Sequence, residues 1–290
     1  MNTRTRSMSS LSIALAMFAI GSSSASAGER VLATGGVSPV EGGGGGGLSP
    51  WAVIAGSGSR GQNGATAQLT RMRTKAGFDL TVKGVAVGIN DRVEMSMAQW
   101  SFKLSDTVPG VTIHQSMVGV KVRLAGHALY DQDTWMPQLS AGVQFKQNDD
   151  YAVPRALGSL NSSGVDVYLS ATKIWLGAVA GYNALANVTV RASRANQFGL
   201  LGFGGDLKSG YSVLPEVSLG VMPKDNMVIG LEWRAKPDNL SVFKEEDAKD
   251  IFLAWFPNRH LSFTAAWVDM GNIADKPKQS AWYLSTQASF

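Results

Sequence analysis

The last ten residues of the chain, Ala281–Phe290, alternate between two kinds of side chain with a period of two. One face is mostly apolar with an aromatic residue at each end, and the other is small and polar. The first face holds Trp282, Leu284, Thr286, Ala288 and Phe290, and the second holds Tyr283, Ser285, Gln287 and Ser289. Such a strand suits a β-barrel with lipid outside and water inside. By itself it also fits the edge strand of a soluble protein.

The chain stops on the aromatic Phe290. This ending resembles the terminal signal of outer-membrane β-barrel proteins of Gram-negative bacteria, which delivers them to the barrel-insertion machinery. We therefore expect Trp282, Leu284 and Phe290 to act as a barrel-insertion signal, with that machinery and outer-membrane lipid as partners.

Residues 1–27 have the features of a cleavable export signal. Arg4 and Arg6 form a basic region, Leu11–Ile20 is apolar, and Ala25–Ala27 gives an A-x-A cleavage site. The apolar run is too short for a membrane helix, which needs about 20 residues. We expect cleavage after Ala27 and the outer membrane of a Gram-negative bacterium as the location. An N-terminal anchor is the alternative.

The composition favours β structure and excludes several other classes. The chain has no cysteine, which excludes a lipoprotein anchor and a disulfide framework. Apolar residues make up 44% but are spread thinly, and no apolar run of 18 residues follows the signal. The 33 glycines fit many tight turns. Without Arg4 and Arg6, 24 of the 26 basic residues remain against 22 acidic ones, a net charge of +2 that predicts no nucleic-acid partner.

Between Trp51 and Phe290 the chain alternates thirteen strand-like segments with turn signals. The clearest is Met227–Ala235, in which Met227, Ile229, Leu231, Trp233 and Ala235 oppose Gly230, Glu232, Arg234 and the following Lys236. The connections in the second half also alternate in length: 237–248 is long, 257–260 is short, and 270–280 is long. Outer-membrane barrels sort their loops in this way, whereas a soluble β-sandwich need not. The sequence therefore predicts an all-β fold, an antiparallel transmembrane β-barrel of about 12–14 strands.

The number of strands should be even, because both termini of such a barrel face the periplasm. If Gly35–Glu41 adds a strand and the six glycines Gly42–Gly47 form its hairpin loop, the barrel has fourteen strands, which is our prediction. If Trp51–Ser57 instead lies elsewhere, for example inside the lumen, the barrel has twelve. The domains expected are a Gly-rich segment 28–47 (plug, linker or short first hairpin) and a barrel from 48 to 290.

Seven motifs spread over the mature chain are specific as a set. They are Ala33-Thr-Gly-Gly36, Leu48-Ser-Pro-Trp-Ala-Val-Ile-Ala-Gly56, Val118-Gly-Val-Lys-Val-Arg-Leu124, Tyr130-Asp-Gln-Asp133, Ala195-Asn-Gln-Phe-Gly-Leu-Leu-Gly-Phe-Gly-Gly-Asp206, Lys236-Pro-Asp-Asn-Leu240 and Pro257-Asn-Arg-His260. With these motifs the chain resembles an uncharacterised proteobacterial family of unknown function, whose members are predicted to be outer-membrane β-barrel proteins. The resemblance implies the fold and no reaction.

Catalysis has little support in the sequence. The three histidines are His114, His127 and His260, and no Gly-x-Ser-x-Gly elbow accompanies them. Asp131-Gln-Asp133 could supply two oxygen ligands to Ca²⁺, but the glycine and distal glutamate of an EF-hand are missing, which favours a polar turn. We expect no enzyme, no catalytic residue, no metal and no cofactor.

The charges on the polar faces give the functional prediction. Seven basic residues are assigned to the lumen, Arg71, Arg73, Lys121, Arg123, Arg191, Arg234 and Lys236, against the acidic Glu94, Asp166 and Glu232. Such a lining favours anions in a narrow pore, although cross-strand ion pairs that fill a closed barrel explain it equally well. We predict a passive channel for a small solute with a mild anion preference, narrowed by inward loops or the Gly-rich segment. The alternatives are a structural or surface-interaction barrel with a closed lumen and an outer-membrane hydrolase.

Overall fold

A closed barrel of twelve antiparallel strands forms the body of the molecule in the computed structural model, which describes residues 30–104 and 107–290. Each strand pairs with its neighbour in sequence, and β1 pairs with β12 to close the barrel. The strands are β1 (Gly64–Thr74), β2 (Asp79–Ile89), β3 (Val93–Lys103), β4 (Thr112–Ala125), β5 (Gln138–Asn148), β6 (Ser163–Val179), β7 (Tyr182–Ser193), β8 (Ser212–Lys224), β9 (Met227–Arg234), β10 (Ala248–Asn258), β11 (Leu261–Asp269) and β12 (Ser280–Ser289). The predicted export signal, residues 1–27, lies outside the described residues.

The two faces of the strands follow the alternation of the sequence. In β12, Trp282 and Leu284 are exposed on the outside, while Tyr283 and Ser285 are buried inside. In β9, Ile229, Leu231 and Trp233 point outward, while Glu232 and Arg234 point inward. An apolar exterior around a polar interior is the arrangement expected of a barrel surrounded by lipid.

The barrel has twelve strands, so the prediction of fourteen is wrong and the twelve-strand alternative is correct. Gly35–Glu41 forms no strand, and only the isolated bridge Val37–Gly45 lies there. Trp51–Ser57 is buried inside the barrel. The glycine run Gly42–Gly47 offers no side chains to pack on a pleated surface, so it does not extend the wall. The wall begins only at Gly64, and the predicted domain boundary at residue 48 falls within the chain that precedes it.

The two ends of the barrel differ in the length of their connections. At the end that holds Phe290, the terminal end, the turns 90–92, 180–181, 225–226 and 259–260 are short, and only 126–137 is long. At the opposite end, the loop end, the connections run from four residues at 75–78 to eighteen at 194–211. The loop sorting predicted for the second half of the chain is therefore present.

Among the residues described, helical structure lies at the loop end. It consists of α1 (Ala152–Ala156) and a 3-10 turn at Asn196–Gly199. In the described ranges, no helix combines the length and the hydropathy needed to cross a membrane. The Gly-rich loop that holds the 3-10 turn folds inward: residues 195–205 are buried, and Phe203 bridges to Asn161 and Ala195. This loop covers the lumen at the loop end.

Candidate functional site

The lumen is occupied by the chain that precedes the first strand. Residues 30–57, here called the lumen segment, run inside the barrel, and nearly all of them from Ala33 onward are buried. The segment contains no helix or strand, only the bridges Val37–Gly45 and Gly45–Pro50. Its backbone therefore needs hydrogen-bond partners other than a regular ladder.

Charged side chains of the wall supply many of those partners. Glu94 accepts hydrogen bonds from the backbone N–H groups of Gly44 (3.1 Å) and Ala55 (2.7 Å). Lys121 donates to the carbonyl oxygen of Gly44 at 2.9 Å and forms an ion pair with Glu94 at 3.0 Å. On the other side of the lumen, Glu232 accepts from the N–H of Leu48 at 2.8 Å. The wall thus holds the backbone of the segment by charge-assisted hydrogen bonds, which are the stronger kind.

The glycine run allows the backbone to come this close to the wall. A Cβ atom on Gly46 would overlap the carboxylate of Glu232, and one on Gly45 would overlap the carbonyl oxygen of Ser49. Only glycine leaves room for such approaches. The six glycines are therefore backbone threaded through a narrow space, and they form neither a linker nor a hairpin loop.

One carboxylate of the segment lies at the centre of a buried cluster of charges. Glu41 pairs with Arg234 at 2.9 Å, with Arg191 at 3.3 Å, and with Lys146. Lys146 also pairs with Asp166 at 2.6 Å, and Arg191 with Glu216 at 2.5 Å. All six side chains are at most 3% exposed. The cluster balances three positive and three negative charges only while Glu41 occupies the lumen.

A second group of wall carboxylates has no basic partner. Glu232 and Asp250 are paired in register across β9 and β10, and neither forms an ion pair within the described part of the chain. Glu232 accepts a hydrogen bond from Ser218 at 2.7 Å. Without Glu41, the wall of the first cluster would carry Lys146, Arg191 and Arg234 against Asp166 and Glu216. The wall at Glu232 and Asp250 carries two carboxylates without a cation.

Six of the ten predicted lumen residues lie on the inner faces of strands and are buried: Glu94, Lys121, Asp166, Arg191, Glu232 and Arg234. Arg123 lies at the terminal end, where it pairs with Asp91 at 2.7 Å. Lys236 lies in the loop 235–247 and pairs with Glu245 at 2.7 Å. Burial raises the pKa of Glu245, and Lys236 opposes that rise.

The placement of Arg71 and Arg73 in the lumen is wrong, because both are exposed on the outer face of β1. The inward residues next to them are Thr70, Met72 and Thr74. Because the outer face of this half of β1 is charged and the inner face holds the apolar Met72, the rule of an apolar outside and a polar inside assigns the two faces wrongly here.

Sequence reasoning missed Glu41, Lys146, Glu216 and Asp250. The last three are flanked by outward residues such as Phe145 and Ile251, so their two-residue period could have placed them inside. With them, the inward charges of the strands are five basic and five acidic. The basic ones are Lys121, Arg123, Lys146, Arg191 and Arg234, and the acidic ones are Glu94, Asp166, Glu216, Glu232 and Asp250. The excess of basic residues expected from the sequence is absent.

The histidines lie outside the lumen cluster. His114 contacts Asp150 at 2.7 Å on the outer face, where Ser116 donates to Asp149 at 3.0 Å. His127 accepts from the backbone of Tyr130 at 3.2 Å. Nowhere in residues 30–104 or 107–290 does a serine hydroxyl bond to a histidine ring. The same residues contain no group of three or more His, Asp or Glu side chains that could hold a metal ion.

Residues 34–287 match the model of a family described as a protein of unknown function, DUF3034. The chain belongs to this family. The resemblance drawn from the seven motifs is thus confirmed, and with it the family's standing as one without an assigned reaction. No curated protein matches the chain significantly.

Several solved structures of outer-membrane β-barrels are similar in fold. A KdgM porin has a TM-score of 0.47 at 8% identity and covers 78% of this chain and 99% of its own. The outer-membrane protein Omp33 of Acinetobacter baumannii has a TM-score of 0.46 at 9% identity, covering 80% and 100%. The outer-membrane phospholipase A of Escherichia coli has a TM-score of 0.42 at 10% identity, covering 77% and 92%. Each likeness is one of barrel architecture at low identity, and it carries no role over to this chain.

Proposed function

We propose that this member of DUF3034 is an outer-membrane channel for small polar solutes and that its own lumen segment gates it. The observation that carries the proposal is the nature of the contact between segment and wall. Glu94, Lys121, Glu232 and Arg234 bond to the backbone of the segment, so water can replace the segment as their partner. An interior of this kind remains compatible with an aqueous path once the segment moves.

The width of the barrel supports the same proposal. Eight strands enclose a space that wall side chains can fill, while 16–18 strands leave an aqueous channel. With twelve strands the lumen is wider than in the first case, and here backbone of the N-terminal chain fills the remaining space. The covalent connection between the lumen segment and the first strand runs through residues 58–63. The segment can therefore shift without any strand leaving the barrel.

Weak charge selectivity replaces the anion preference expected from the sequence. A ring of like charges is what makes a pore selective for one sign, and the inward charges of the strands are balanced. The basic side chains around Glu41 lie on β5, β7 and β9, and the carboxylates Glu232 and Asp250 lie on β9 and β10. Charges of both signs thus line neighbouring strands, an arrangement that excludes neither ion strongly.

The proposed location is the outer membrane of a Gram-negative bacterium, reached through the predicted export signal. The apolar outer faces of the strands, such as Ile229, Leu231 and Trp233 on β9, suit a lipid environment. The terminal end, with its short turns, faces the periplasm in this arrangement, and the loop end faces the outside.

A reversible lock between segment and wall tests the gating. A Cβ atom on Gly42 would lie 3.4 Å from the Cβ of Ala98 on β3, close to the 3.5–4.5 Å of a disulfide. The chain has no native cysteine, so Gly42→Cys/Ala98→Cys gives a single defined bridge. We expect discrete conductance steps in a planar bilayer when the bridge is reduced, their loss on oxidation, and a reversal potential near zero in a salt gradient. Ala98→Cys alone is the control and should ignore the oxidant.

Two results would overturn this function. A silent bilayer in both redox states, with the protein folded, would mean that the barrel is closed and serves a structural or surface role. Equal steps in the oxidised and reduced states would mean that solute passes without movement of the segment. A strongly anion-favouring reversal potential would instead restore the preference expected from the sequence.

A further inference from the structure

The outer surface of the barrel differs between β1–β3 and the rest of the wall. On most strands the outward side chains are apolar up to the loop end, as with Trp267 on β11 and Trp282 on β12. On β1–β3 the loop-end half is polar instead. Arg71, Arg73, Lys83 and Lys103 are exposed there, with Gln99 and Ser101 between them. These four cations are called the basic outer patch.

The pairing of the strands fixes the position of this patch on the wall. Arg73 lies opposite Trp282 across β1 and β12, and Trp282 packs edge-to-face against Trp267 at 5.1 Å. Tryptophan collects at the depth of the lipid headgroups. Arg71, one outward position further from the loop end, lies opposite Leu284. The patch therefore extends from the headgroup region toward the lipid tails.

The cations of the patch have no partner of their own. Among the residues that the structure describes, none of Arg71, Arg73, Lys83 and Lys103 forms an ion pair within 4 Å. Within β1–β3, Asp79 is the acidic neighbour, opposite Arg73 and Lys103 in register, and it leaves a net charge of +3 on these strands. The next carboxylates on the outer face, Asp149 and Asp150, bond to Ser116 and His114 of β4. Unpaired cations on a lipid-facing surface are costly unless an anion reaches them.

We propose that the basic outer patch binds the phosphate groups of anionic lipids in the outer leaflet. The guanidinium groups of Arg71 and Arg73 present paired donors that match phosphate oxygens, and Lys83 adds a further charge. Gln99, opposite Lys83 across β2 and β3, supplies a neutral donor. A second copy of the chain is a poorer occupant, because a two-fold contact would bring the same positive patches together.

The test is lipid binding to the full-length protein purified in a neutral detergent. Native mass spectrometry would follow titration with phosphatidylglycerol and with phosphatidylcholine. We compare the patch variant Arg71→Gln/Arg73→Gln/Lys83→Gln with the control Lys224→Gln/Lys249→Gln/Lys278→Gln, which removes three exposed charges elsewhere. Wild type and control should bind phosphatidylglycerol at least tenfold more tightly than phosphatidylcholine. The patch variant should lose that preference, since each cation near an anionic surface contributes about fivefold.

The outcomes separate the occupants. Equal phosphatidylglycerol affinity in the wild type and the patch variant, both migrating as folded barrels in unheated gels, would overturn the proposal. So would a wild type that forms dimers without bound lipid while the patch variant is monomeric, because the surface would then be a protein contact. If the variant Arg71→Lys/Arg73→Lys keeps the preference for phosphatidylglycerol, the proposal is supported, and the positive charge itself is what the lipid recognises.

Discussion

The lumen segment is buried inside the barrel and the wall buries its inner face, yet the two are stabilised in different ways. In the wall, each strand pairs with its neighbours through a continuous backbone ladder, from β1 around to β12. In the segment, the partners are side chains far away in sequence, such as Glu94 and Glu232. The wall would keep every ladder hydrogen bond if the segment left, whereas the segment has no defined conformation without the wall.

This difference identifies the part of the molecule that can move. A closed ladder has no free edge, and opening it would expose backbone groups to lipid, where nothing can bond to them. Along its length the segment forms polar and charged contacts with the wall, and water can substitute for these contacts. Local opening should therefore begin at the segment and leave the wall intact.

The largest expected effect comes from removing the central carboxylate of the buried cluster. Glu41→Ala leaves Lys146, Arg191 and Arg234 with one carboxylate fewer, and breaking a buried ion pair costs about 3–5 kcal/mol. We expect the segment to open roughly 10² to 4 × 10³ times more often. A reporter cysteine at Ser38, which is buried against Gln287, should be labelled faster by that factor.

The matched control is Asp275→Ala, which removes one partner of the exposed pair with Lys276. Exposed pairs contribute little, so labelling at position 38 should not change. If Glu41→Ala also leaves labelling unchanged, the charge cluster does not hold the segment, and the contrast with the wall is lost.

A somewhat smaller effect is expected on the wall and should spare the segment. Leu231 points outward from β9, and arginine on a lipid-facing position costs about 2–4 kcal/mol near the bilayer centre. Leu231→Arg should lower the free energy of unfolding by that amount in a urea titration with lipid vesicles. Leu207→Arg, at an exposed position of the loop 194–211, should cost nothing measurable. Equal losses in both variants would argue against a lipid-facing β9.

The smallest of the three effects concerns the glycine run. Gly46→Val would push a side chain into the carboxylate of Glu232, and overpacking of this kind costs about 1–3 kcal/mol. Because the segment gives way before the wall, we expect faster labelling at position 38 and more frequent conductance steps, with an unchanged urea midpoint. Gly210→Val, where no atom lies within 4 Å, is the control. A shift of the urea midpoint alone would place the strain in the wall.

The sequence by itself determined the wall. Where one face is apolar and the other polar, as in β9 and β12, the two-residue period places each side chain correctly, because this period is a local property of extended chain. The predicted export signal and the shortage of long apolar runs point to the same class of protein. These patterns predicted a barrel, its loop sorting and the inward positions of Lys121, Arg191, Glu232 and Arg234.

Only the tertiary structure decided what fills the barrel and where ambiguous strands face. In the loop-end halves of β1–β3 the outer face is polar and the inner face holds apolar residues such as Leu80 and Trp100, so Arg71 and Arg73 were misplaced. The six glycines carry no side-chain pattern at all, and their course depends on carboxylates fifty or more residues away in sequence. Alternation reports the environment of each strand, whereas the fit of the lumen segment, the balance of charge around Glu41 and the strand number depend on contacts that form only once the barrel has closed.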